Sequence, residues 1–406
     1  MRIVGLRVRE VSIPRIYDTY EGNLQSDPSH ADASRSRYQI IEVRTDDGHV
    51  GLGEVSDIAQ RMRPPSPEEL KGILAATILG AEVTTWRAIC ANVSRTLPTN
   101  WHPELRGLTL FGIEISLLDL IGQKYNVPLF ELLGGRYREC VHVCWVAYQR
   151  GDIPLDDELA AFAEEMRQKV AEGFRAFKIK VGGDHEKDLA RIKLFRTVAG
   201  PDIHLRVDAS GVWEEAEAIR KLADMAACGI NACETPVTAV NRQIANDNPE
   251  RVNANADAAA TSLARVRAAS PVEIIEHVGD LGDVFSAALV RHRAVDCVNV
   301  IPSQAGGVLR GQRLIHVAET AGIRCLLGST VELGPGTAAS VHLGVASKNV
   351  NIPSDLVSPG LLVDDVCKAP FRFDNGTLRP FEKPGLGVEL DEAQMEKWAV
   401  RKDSLP

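Results

Sequence analysis

Residues 176–181 read Ala-Phe-Lys-Ile-Lys-Val, a short stretch that is apolar except for two lysines two positions apart. Side chains alternate between the two faces of a β-strand, so Lys178 and Lys180 are expected to point in the same direction. The apolar side chains then lie on the opposite face. Taken alone, the stretch is equally consistent with a solvated strand that carries two surface lysines.

Three strand-like segments further along the chain each end in an acidic residue. These residues are Asp208, Glu234 and Glu276. The carboxyl ends of parallel barrel strands converge on one mouth, where active sites lie. Three carboxylates there would repel each other unless a divalent cation bound them, and an all-oxygen ligand set suits Mg²⁺ or Mn²⁺. Each acid alone could instead cap the following helix, but three of them after a two-lysine strand favour a metal site.

Short apolar segments alternate with amphipathic segments from about residue 141 onward. This alternation predicts a parallel sheet, and about seven repeats favour a barrel over an open sheet. The predicted strands are 141–147, 176–181, 204–208, 230–234, 272–276, 297–301 and 323–327. The clearest helices between them are 159–173, 188–199, 214–227 and 308–321.

The chain before the barrel has a different pattern. Residues 1–55 alternate like an antiparallel sheet with a turn at Asp46-Asp47-Gly48, and residues 108–123 have helical spacing. A long polar loop is predicted at 17–37, and loops of this length are usually functional lids or disordered segments.

The spacing of the candidate site residues indicates one strand–helix unit between successive residues, with one exception. Lys180 and Asp208 are 28 positions apart and Asp208 and Glu234 are 26 apart, whereas Glu234 and Glu276 are 42 apart. The excess coincides with residues 240–260, which are rich in Asn, Ala and Asp. This insertion follows the carboxyl end of a strand, so it either covers the site or forms an inert surface excursion.

Composition excludes several classes of protein. The chain has 406 residues, 45% hydrophobic and 25% charged, as in an ordinary soluble protein, and a formal charge of −9 that argues against nucleic-acid or anionic-membrane partners. Its eight cysteines include no CxxC pair, which favours buried free thiols over disulfides or a zinc site. No signal peptide or membrane-length apolar run is present, so we expect a cytoplasmic protein.

An ordered set of motifs along nearly the whole chain resembles the enolase superfamily, in its mandelate racemase/muconate lactonizing enzyme branch. The motifs are Asp46 to Glu54 (DDGHVGLGE), residues 115–135, Lys178-Ile179-Lys180, Val207-Asp208-Ala209, Cys233-Glu234, Ile275-Glu276-His277 and Pro384 to Val388 (PGLGV). The resemblance implies an α/β fold, a modified (β/α)7β TIM-type barrel with an α+β capping domain built from both chain ends. The expected divisions are 1–135 for the cap, 136–365 for the barrel and 366–406 for the segment that returns to the cap.

The resemblance also implies the roles of the site residues. Asp208, Glu234 and Glu276 would bind Mg²⁺ (or Mn²⁺), Lys180 would be the base, and Lys178 would support the carboxylate of a small-molecule substrate. Loss of the α-proton gives an enediolate, whose negative charge a cation and a lysine stabilise. A homo-oligomer is expected by resemblance alone.

Two departures from the family pattern bear on the reaction. Muconate-type members carry a lysine where this chain has Ile301, and racemase-type members carry a histidine at the end of the strand that here leads into Gly328. A base on one face favours elimination or cyclisation over two-base racemisation. We therefore expect a hydroxy-acid dehydratase; the alternatives are a muconate-type cycloisomerase, a racemase or epimerase, and last a non-catalytic carboxylate-binding barrel.

Weaker candidates for substrate contacts lie in the loops at the barrel mouth and in the polar N-terminal loop. His277 could reach the site or only begin a helix, and Glu332 could bind a polar substrate group or only cap a helix. The full set of these candidates is Tyr20, His277, Ser303, Gln304, Ser329 and Glu332.

Overall fold

The computed structural model describes residues 1–19, 33–57, 64–150, 153–237, 249–279 and 282–400. Its strands are β1 Ile3–Pro14, β2 Arg35–Thr45, β3 Val50–Val55, β4 Val141–His142, β5 Trp145–Ala147, β6 Ala176–Lys180, β7 His204–Asp208, β8 Ala232–Glu234, β9 Glu273–Val278, β10 Cys297–Val300, β11 Arg324–Leu327 and β12 Thr377–Leu378. Its helices are α1 Pro67–Ile78, α2 Trp86–Thr96, α3 Pro103–Tyr125, α4 Leu129–Leu132, α5 Leu155–Ala171, α6 His185–Ala199, α7 Glu215–Ala227, α8 Pro249–Ala269, α9 Gly282–His292, α10 Pro302–Ala305, α11 Val308–Thr320, α12 Gly334–Ala346, α13 Ser358–Leu361 and α14 Glu392–Lys397.

The N-terminal capping domain is a three-stranded antiparallel sheet, β1-β2-β3, packed on helices α1 to α3. Strand β2 begins at Arg35, so the last residues of the predicted 17–37 loop belong to the sheet. Strand β3 lies unusually close to α3, because a Cβ atom on Gly51 or Gly53 would overlap a carbonyl oxygen of that helix. This close approach explains the glycines of the DDGHVGLGE motif.

Strands β5 to β11 form a parallel sheet in sequential order, with helices between them. The two edges of this sheet are joined by an irregular segment around Ser354. Ser354 forms a bridge with Val143 beside β5, and the backbone N–H of Asp355 donates to the carbonyl of Leu327 at the end of β11, 2.7 Å away. The sheet therefore closes into the modified barrel that the sequence predicts, with a closing segment in place of a regular eighth strand.

One element differs from the prediction at the start of the barrel. The predicted strand 141–147 is two strands, because β4 pairs with β12 of the C-terminal segment and only β5 joins the barrel sheet. The C-terminal segment also reaches the cap, where Ala399 bridges to Val11 of β1. The C-terminal segment thus contacts the amino-terminal side of the barrel, through β4, as well as the cap.

Buried carboxylates of the cap accept hydrogen bonds from backbone N–H groups outside it. Glu54, at the end of β3, accepts from Leu333 and Gly336 at the start of α12, at 2.8 and 2.9 Å. Glu54 thereby satisfies N–H groups that a helix start leaves without intrahelical partners. Burial raises the pKa of Glu54 well above its ordinary value, although these backbone hydrogen bonds oppose the shift.

Two further carboxylates, both on α3, act in the same way. Glu114 accepts from the N–H of Leu309 in α11 at 3.0 Å, and Asp119 accepts from the N–H of Leu386 in the C-terminal segment at 2.8 Å. Burial raises the pKa of Glu114 to about 7 and that of Asp119 to about 6. We call Glu54, Glu114 and Asp119 the clamp carboxylates, because they fasten the cap to α12, α11 and the C-terminal segment.

The predicted insertion at 240–260 is only partly an insertion. Its second half lies in α8, where Ala256, Ala259 and Ala260 are buried in the core. Residues 238–248 fall outside the described ranges. The prediction of an excursion over this whole stretch is therefore wrong for its second half, which is part of an ordinary barrel helix.

The cysteines agree with the prediction of buried free thiols for most of their number. All eight cysteines are free thiols, and five of them are buried. Within the part of the chain that the structure describes, no helix combines the length and the apolar character that a membrane span requires.

Candidate active site

The two lysines of β6 point into the interior of the barrel. The side chain of Lys178 is only 5% exposed and that of Lys180 only 9%. Lys180 pairs in register with Asp208 of β7, and its Nζ donates to Asp208 Oδ2 at 2.8 Å. Lys178 Nζ donates to Glu234 Oε2 at 3.0 Å. The alternative of a solvated strand with surface lysines is therefore wrong.

The three acids lie on neighbouring strands at the same end of the barrel. Asp208 pairs in register with Glu234, and Glu234 pairs with Ile275, so Glu276 lies one step further along its strand. Glu276 Oε1 accepts from Thr235 Oγ1 at 2.8 Å. None of the three acids is the N-cap of a described helix, since α7 begins after Glu214 and the other two helices begin well downstream.

A fourth carboxylate, Asp355, binds Lys178, and the sequence analysis missed it. Asp355 Oδ2 accepts from Lys178 Nζ at 2.7 Å, and Asp355 Oδ1 forms an ion pair with Arg206. Asn299 Nδ2 donates to Glu234 Oε1 at 2.8 Å and completes this polar layer. One signal was available, because Arg206 precedes Asp208 by two positions and so shares its face, where a buried arginine needs a carboxylate partner.

Neighbouring opposite charges favour the charged forms of Lys178, Asp208 and Asp355. Burial alone would lower the pKa of Lys178, but Asp355, Glu234 and Asp208 together raise it well above its ordinary value. Burial would raise the pKa of Asp208, but Lys180 and Lys178 hold it well below its ordinary value. The pKa of Asp355 is likewise lowered, against the effect of burial, by Arg206 and Lys178.

The three acids offer carboxylate oxygens of the kind that divalent cations bind. Over the described ranges, no group of three or more His, Cys, Asp or Glu side chains is arranged so that it could hold a metal ion as it stands. Asp208 and Glu234 instead share Lys178 Nζ, at 3.2 and 3.0 Å. The chemistry of the donors nevertheless suits a hard divalent cation, because Asp208, Glu234 and Glu276 offer only carboxylate oxygens from adjacent strands.

Formal charge gives a second test of the fit. The charged side chains joined in this cluster are Lys178, Lys180, Arg206, Asp208, Glu234, Glu276 and Asp355. Glu332 lies outside the cluster, at the rim, where hydroxyl groups and a backbone N–H donate to it. Three cations against four carboxylates leave one negative charge in excess. One divalent cation would turn this into one positive charge in excess, which a single substrate carboxylate would neutralise. The residues present therefore fit one divalent ion together with one carboxylate.

A cavity of about 210 Å³ lies over this cluster, between the barrel and the cap. Three of the weaker sequence candidates line it, namely His277, Gln304 and Ser329. The cluster itself contributes Lys178, Lys180, Asp208, Glu234, Asn299 and Asp355 to the wall. Tyr20 lies outside the described residues.

Ser303 and Glu332 do not line the cavity but organise its rim. Buried Glu332 accepts from Ser303 Oγ at 2.7 Å and from the backbone N–H of Thr330 at 2.9 Å, and it also accepts from Ser329 Oγ. The capping role considered for Glu332 at the following helix is taken by Glu54.

The two positions that depart from the family pattern are filled by packing. Ile301 lines the cavity. A Cβ atom on Gly328 would overlap Asn299 Oδ1 and lie 2.6 Å from Ile301 Cγ1, so this position has no room for a side chain in the observed packing. The wall of the cavity on this side is therefore apolar at Ile301.

The cap contributes polar residues to the cavity that the sequence analysis did not single out. Arg15 forms an ion pair with Asp57, with 2.7 Å between Nη2 and Oδ2, and both residues line the cavity. Glu104, at the start of α3, also lines it and accepts from Gln304 Nε2 at 2.7 Å. These residues come from three separate elements, so no local sequence pattern brings them together.

Family models match two parts of the chain. The model described as "Enolase C-terminal domain-like" matches residues 161–394. The model described as "Mandelate racemase / muconate lactonizing enzyme, N-terminal domain" matches residues 25–134. The first match covers more than half of the chain, including the strands that carry both lysines and the three acids.

Known proteins of similar length are related to this chain. Muconate cycloisomerase 1-1 of Acinetobacter lwoffii is 28% identical over 365 residues, covering 88% of each chain. N-succinyl-L-Arg/Lys racemase of Bacillus cereus is 28% identical over 374 residues, covering 90% of each. The crystal structure of 2-chloromuconate cycloisomerase from Rhodococcus opacus 1CP has a TM-score of 0.82 at 24% identity, covering 99% of this chain and all of that one, which establishes the similarity of fold.

Proposed function

The chain belongs to the mandelate racemase/muconate lactonizing enzyme family of the enolase superfamily, and from that premise we propose that it is a Mg²⁺-dependent hydroxy-acid dehydratase. In this proposal Lys180 removes the α-proton of a carboxylate substrate, and the enediolate then loses a leaving group from its β-carbon. The chain is an enzyme of the isomerase or lyase class by its family. The reaction, the substrate and the metal, Mg²⁺ or Mn²⁺ in its place, are the proposed part.

The chemistry requires stabilisation of charge on the substrate oxygens. A proton next to a carboxylate is very weakly acidic, because its removal places a second negative charge on the carboxylate group. When bound by Asp208, Glu234 and Glu276, a divalent cation supplies electrostatic stabilisation of this charge. Lys178, held by Asp355, adds a fixed positive charge on the same side.

Lys180 is the base in this proposal because of its position. Its Nζ lies against Asp208 and on the cavity wall, 5.8 Å from the centre of the Tyr148 ring. A cation bound nearby disfavours the protonated form of an adjacent lysine, which prepares that lysine to accept a proton near neutral pH. After abstraction, the protonated Lys180 is placed to return the proton to a leaving group on the same face.

The observation that carries the choice of reaction is the contrast between the two sides of the cavity. The β6 side presents Lys180, whereas the β10 side presents Ile301 with Gly328 packed behind it. One-sided proton transfer supports elimination, in which a single lysine serves first as base and then as acid. It weighs against racemisation by two bases.

Cycloisomerisation is the second candidate, and the names of the relatives favour it. In its reverse direction, a cycloisomerase removes an α-proton and expels a carboxylate from the β-carbon, which is the same one-sided elimination. Muconate cycloisomerases of several bacteria are among the similar proteins. A racemase or epimerase is third, and a barrel that only binds carboxylates is last.

The test is a screen of acid sugars, N-acylated amino acids and muconates in D₂O with Mg²⁺, followed by NMR and mass spectrometry. Net loss of water from a hydroxy acid supports the dehydratase, and lactone formation from a muconate supports the cycloisomerase instead. Rapid inversion at the α-carbon would contradict one-sided chemistry. If no acid exchanges its α-proton although Mg²⁺ and the acids bind, the non-catalytic alternative stands.

Three organisational predictions remain proposals. We keep the division into a cap at 1–135, a barrel at 136–365 and a returning segment at 366–406. We also keep the expectations of a homo-oligomer and of a cytoplasmic location. The order of the motifs supports the division into domains, and the family resemblance supports the homo-oligomer.

A further inference from the structure

One carboxylate in the wall of the cavity has no positive partner in the part of the chain that the structure describes. Glu104 lines the cavity from the cap side, and among the residues that the structure describes no lysine, arginine or histidine forms an ion pair with its side chain. Its described side-chain partner is the neutral amide of Gln304. By contrast, Asp57 of the same wall is paired with Arg15. Glu104 therefore leaves a negative charge facing the space in which a substrate would lie.

A second acceptor lies beside Glu104. A carboxylate can only accept, so the 2.7 Å contact with Glu104 Oε1 fixes the amide nitrogen of Gln304 toward it and turns Gln304 Oε1 the other way. That oxygen is buried and has no hydrogen-bond partner among the described residues. A buried acceptor without a donor is costly, and a ligand that supplies the donor recovers the loss.

The cavity is consequently polarised. In the cluster around Lys178 and Lys180, a divalent cation would leave one positive charge in excess, as counted above. Among the described residues at the cap end, Arg15 and Asp57 cancel and Glu104 leaves one negative charge in excess. A substrate carboxylate is attracted to the barrel end. A second carboxylate at the far end of the substrate would face Glu104 and be repelled.

We propose that the substrate carries one carboxylate and a tail that donates hydrogen bonds, through hydroxyl or ammonium groups, to Glu104 and Gln304. This inference rests on the proposed function, because it assumes that the carboxylate lies at the barrel end. Hydroxyl side chains around the wall can serve further polar groups of such a tail. They are Thr19, Tyr148, Ser210, Thr235, Ser329 and Thr330. A dicarboxylate without donors, such as a muconate, is disfavoured by the same arrangement.

The test compares acids that differ only at the far end of the molecule. In one pair, gluconate has a terminal hydroxyl where glucarate has a second carboxylate. In the other, Nα-acetyl-lysine has a terminal ammonium where N-acetyl-2-aminopimelate has a second carboxylate. With Mg²⁺ present, we expect kcat/KM for α-proton exchange to favour the donor-tailed member of at least one pair by about 10-fold or more. The two pairs distinguish hydroxyl from ammonium recognition. A preference for the dicarboxylate in both pairs would overturn the inference while leaving the proposed function intact.

Glu104→Gln removes the charge and keeps the size of the side chain. We expect it to reduce the preference for the donor-tailed acid by about 10-fold, mainly through KM, and to leave kcat nearly unchanged. Glu68→Gln, at an exposed position of α1, is the matched control and should change nothing. An unchanged preference in Glu104→Gln would contradict the role of Glu104.

Binding separates this inference from the failure of the proposed chemistry. In Lys180→Met, which lacks the proposed base, the four acids are titrated with Mg²⁺ and the shift in melting temperature is recorded. Stronger stabilisation by the donor-tailed acids supports the inference even if no acid reacts with the unmodified enzyme. Equal stabilisation by both members of each pair, or none by the donor-tailed acids, overturns it.

Discussion

Lys178 Nζ lies 2.7 Å from Asp355 Oδ2, although the two residues are 177 positions apart in the chain. Asp355 belongs to the segment that closes the barrel, and its other carboxylate oxygen is paired with Arg206. The segment that joins the two edges of the sheet therefore also fixes a lysine of the candidate active site.

Asp355→Asn is expected to destabilise the fold strongly. The change leaves the buried guanidinium of Arg206 without a charged partner, and breaking one side of a buried ion pair costs about 3 kcal/mol or more. Urea unfolding followed by circular dichroism measures the loss. Asp374→Asn, at an exposed position, is the control and should stay within about 0.5 kcal/mol of the unmodified protein. A similarly small change in Asp355→Asn would mean that the Arg206 pair is dispensable.

Lys180→Met should abolish α-proton exchange while the protein remains folded. Loss of a general base typically lowers the rate by about 10²- to 10⁴-fold. Lys178 still pairs with Asp208 in this variant, so the carboxylate keeps a cationic neighbour. Deuterium incorporation by NMR measures the effect, with exposed Lys187→Met as the control. Retention of exchange in Lys180→Met would remove Lys180 from the mechanism.

Chelation followed by dialysis should remove activity, and Mg²⁺ should restore it. We expect Mg²⁺ to raise the melting temperature of the unmodified protein, because its oxygen donors come from strands that separate on unfolding. Glu276→Gln should weaken this stabilisation, since the amide is a poorer ligand for a hard cation. Isothermal titration calorimetry gives the affinity. Full activity in the presence of excess chelator would contradict metal dependence.

Ile301→Lys tests one-sided proton transfer. A lysine at this position would stand on the cavity wall across the barrel from Lys180, so we expect exchange with inversion to appear where the unmodified enzyme shows none. Chiral chromatography of the recovered substrate measures inversion. Ile301→Met has similar bulk and no base, and it should not invert the substrate. Inversion by the unmodified enzyme would mean that another group already serves as the second base.

Glu114 predicts a specific dependence of stability on pH. Burial raises its pKa in the folded state to about 7, above the ordinary value of 4.5, so folding takes up a proton between these pH values. The free energy of unfolding should therefore fall as pH rises from about 4.5 to 7, by roughly 3 kcal/mol from this group. Chemical denaturation across this range, compared with Glu114→Gln, isolates the contribution. A constant difference between the two proteins would show that the Glu114 pKa is not raised.

The sequence predicted those parts of the site that repeat with the period of a strand. Lys178 and Lys180 were recognisable because they alternate with apolar residues. The three acids were recognisable because each ends a strand-like segment of the sequence, although β9 continues past Glu276 to Val278 in the structure. The barrel was predicted from the same regular series of strand-like segments. These features depend only on local spacing, which a single sequence displays directly.

The remaining parts depend on contacts between distant segments. Asp355 lies in an irregular closing segment, without the alternation that marks a strand. Arg15, Asp57 and Glu104 reach the cavity only because the cap sits over the barrel. Glu332 was identified as a polar residue near the site, but its role in holding Ser303 and Ser329 depends on loop geometry that spacing does not reveal.

The clamp carboxylates have a consequence for how the enzyme would turn over. Because Glu54 and Glu114 fasten the cap to two barrel helices, α12 and α11, a hinge-like swing of the whole cap would break several buried hydrogen bonds at once. Each such break would leave a buried carboxyl group and a backbone donor unpaired. Substrate binding and product release should therefore proceed by local rearrangement at the rim of the cavity. The cap should stay bound to the barrel throughout the catalytic cycle.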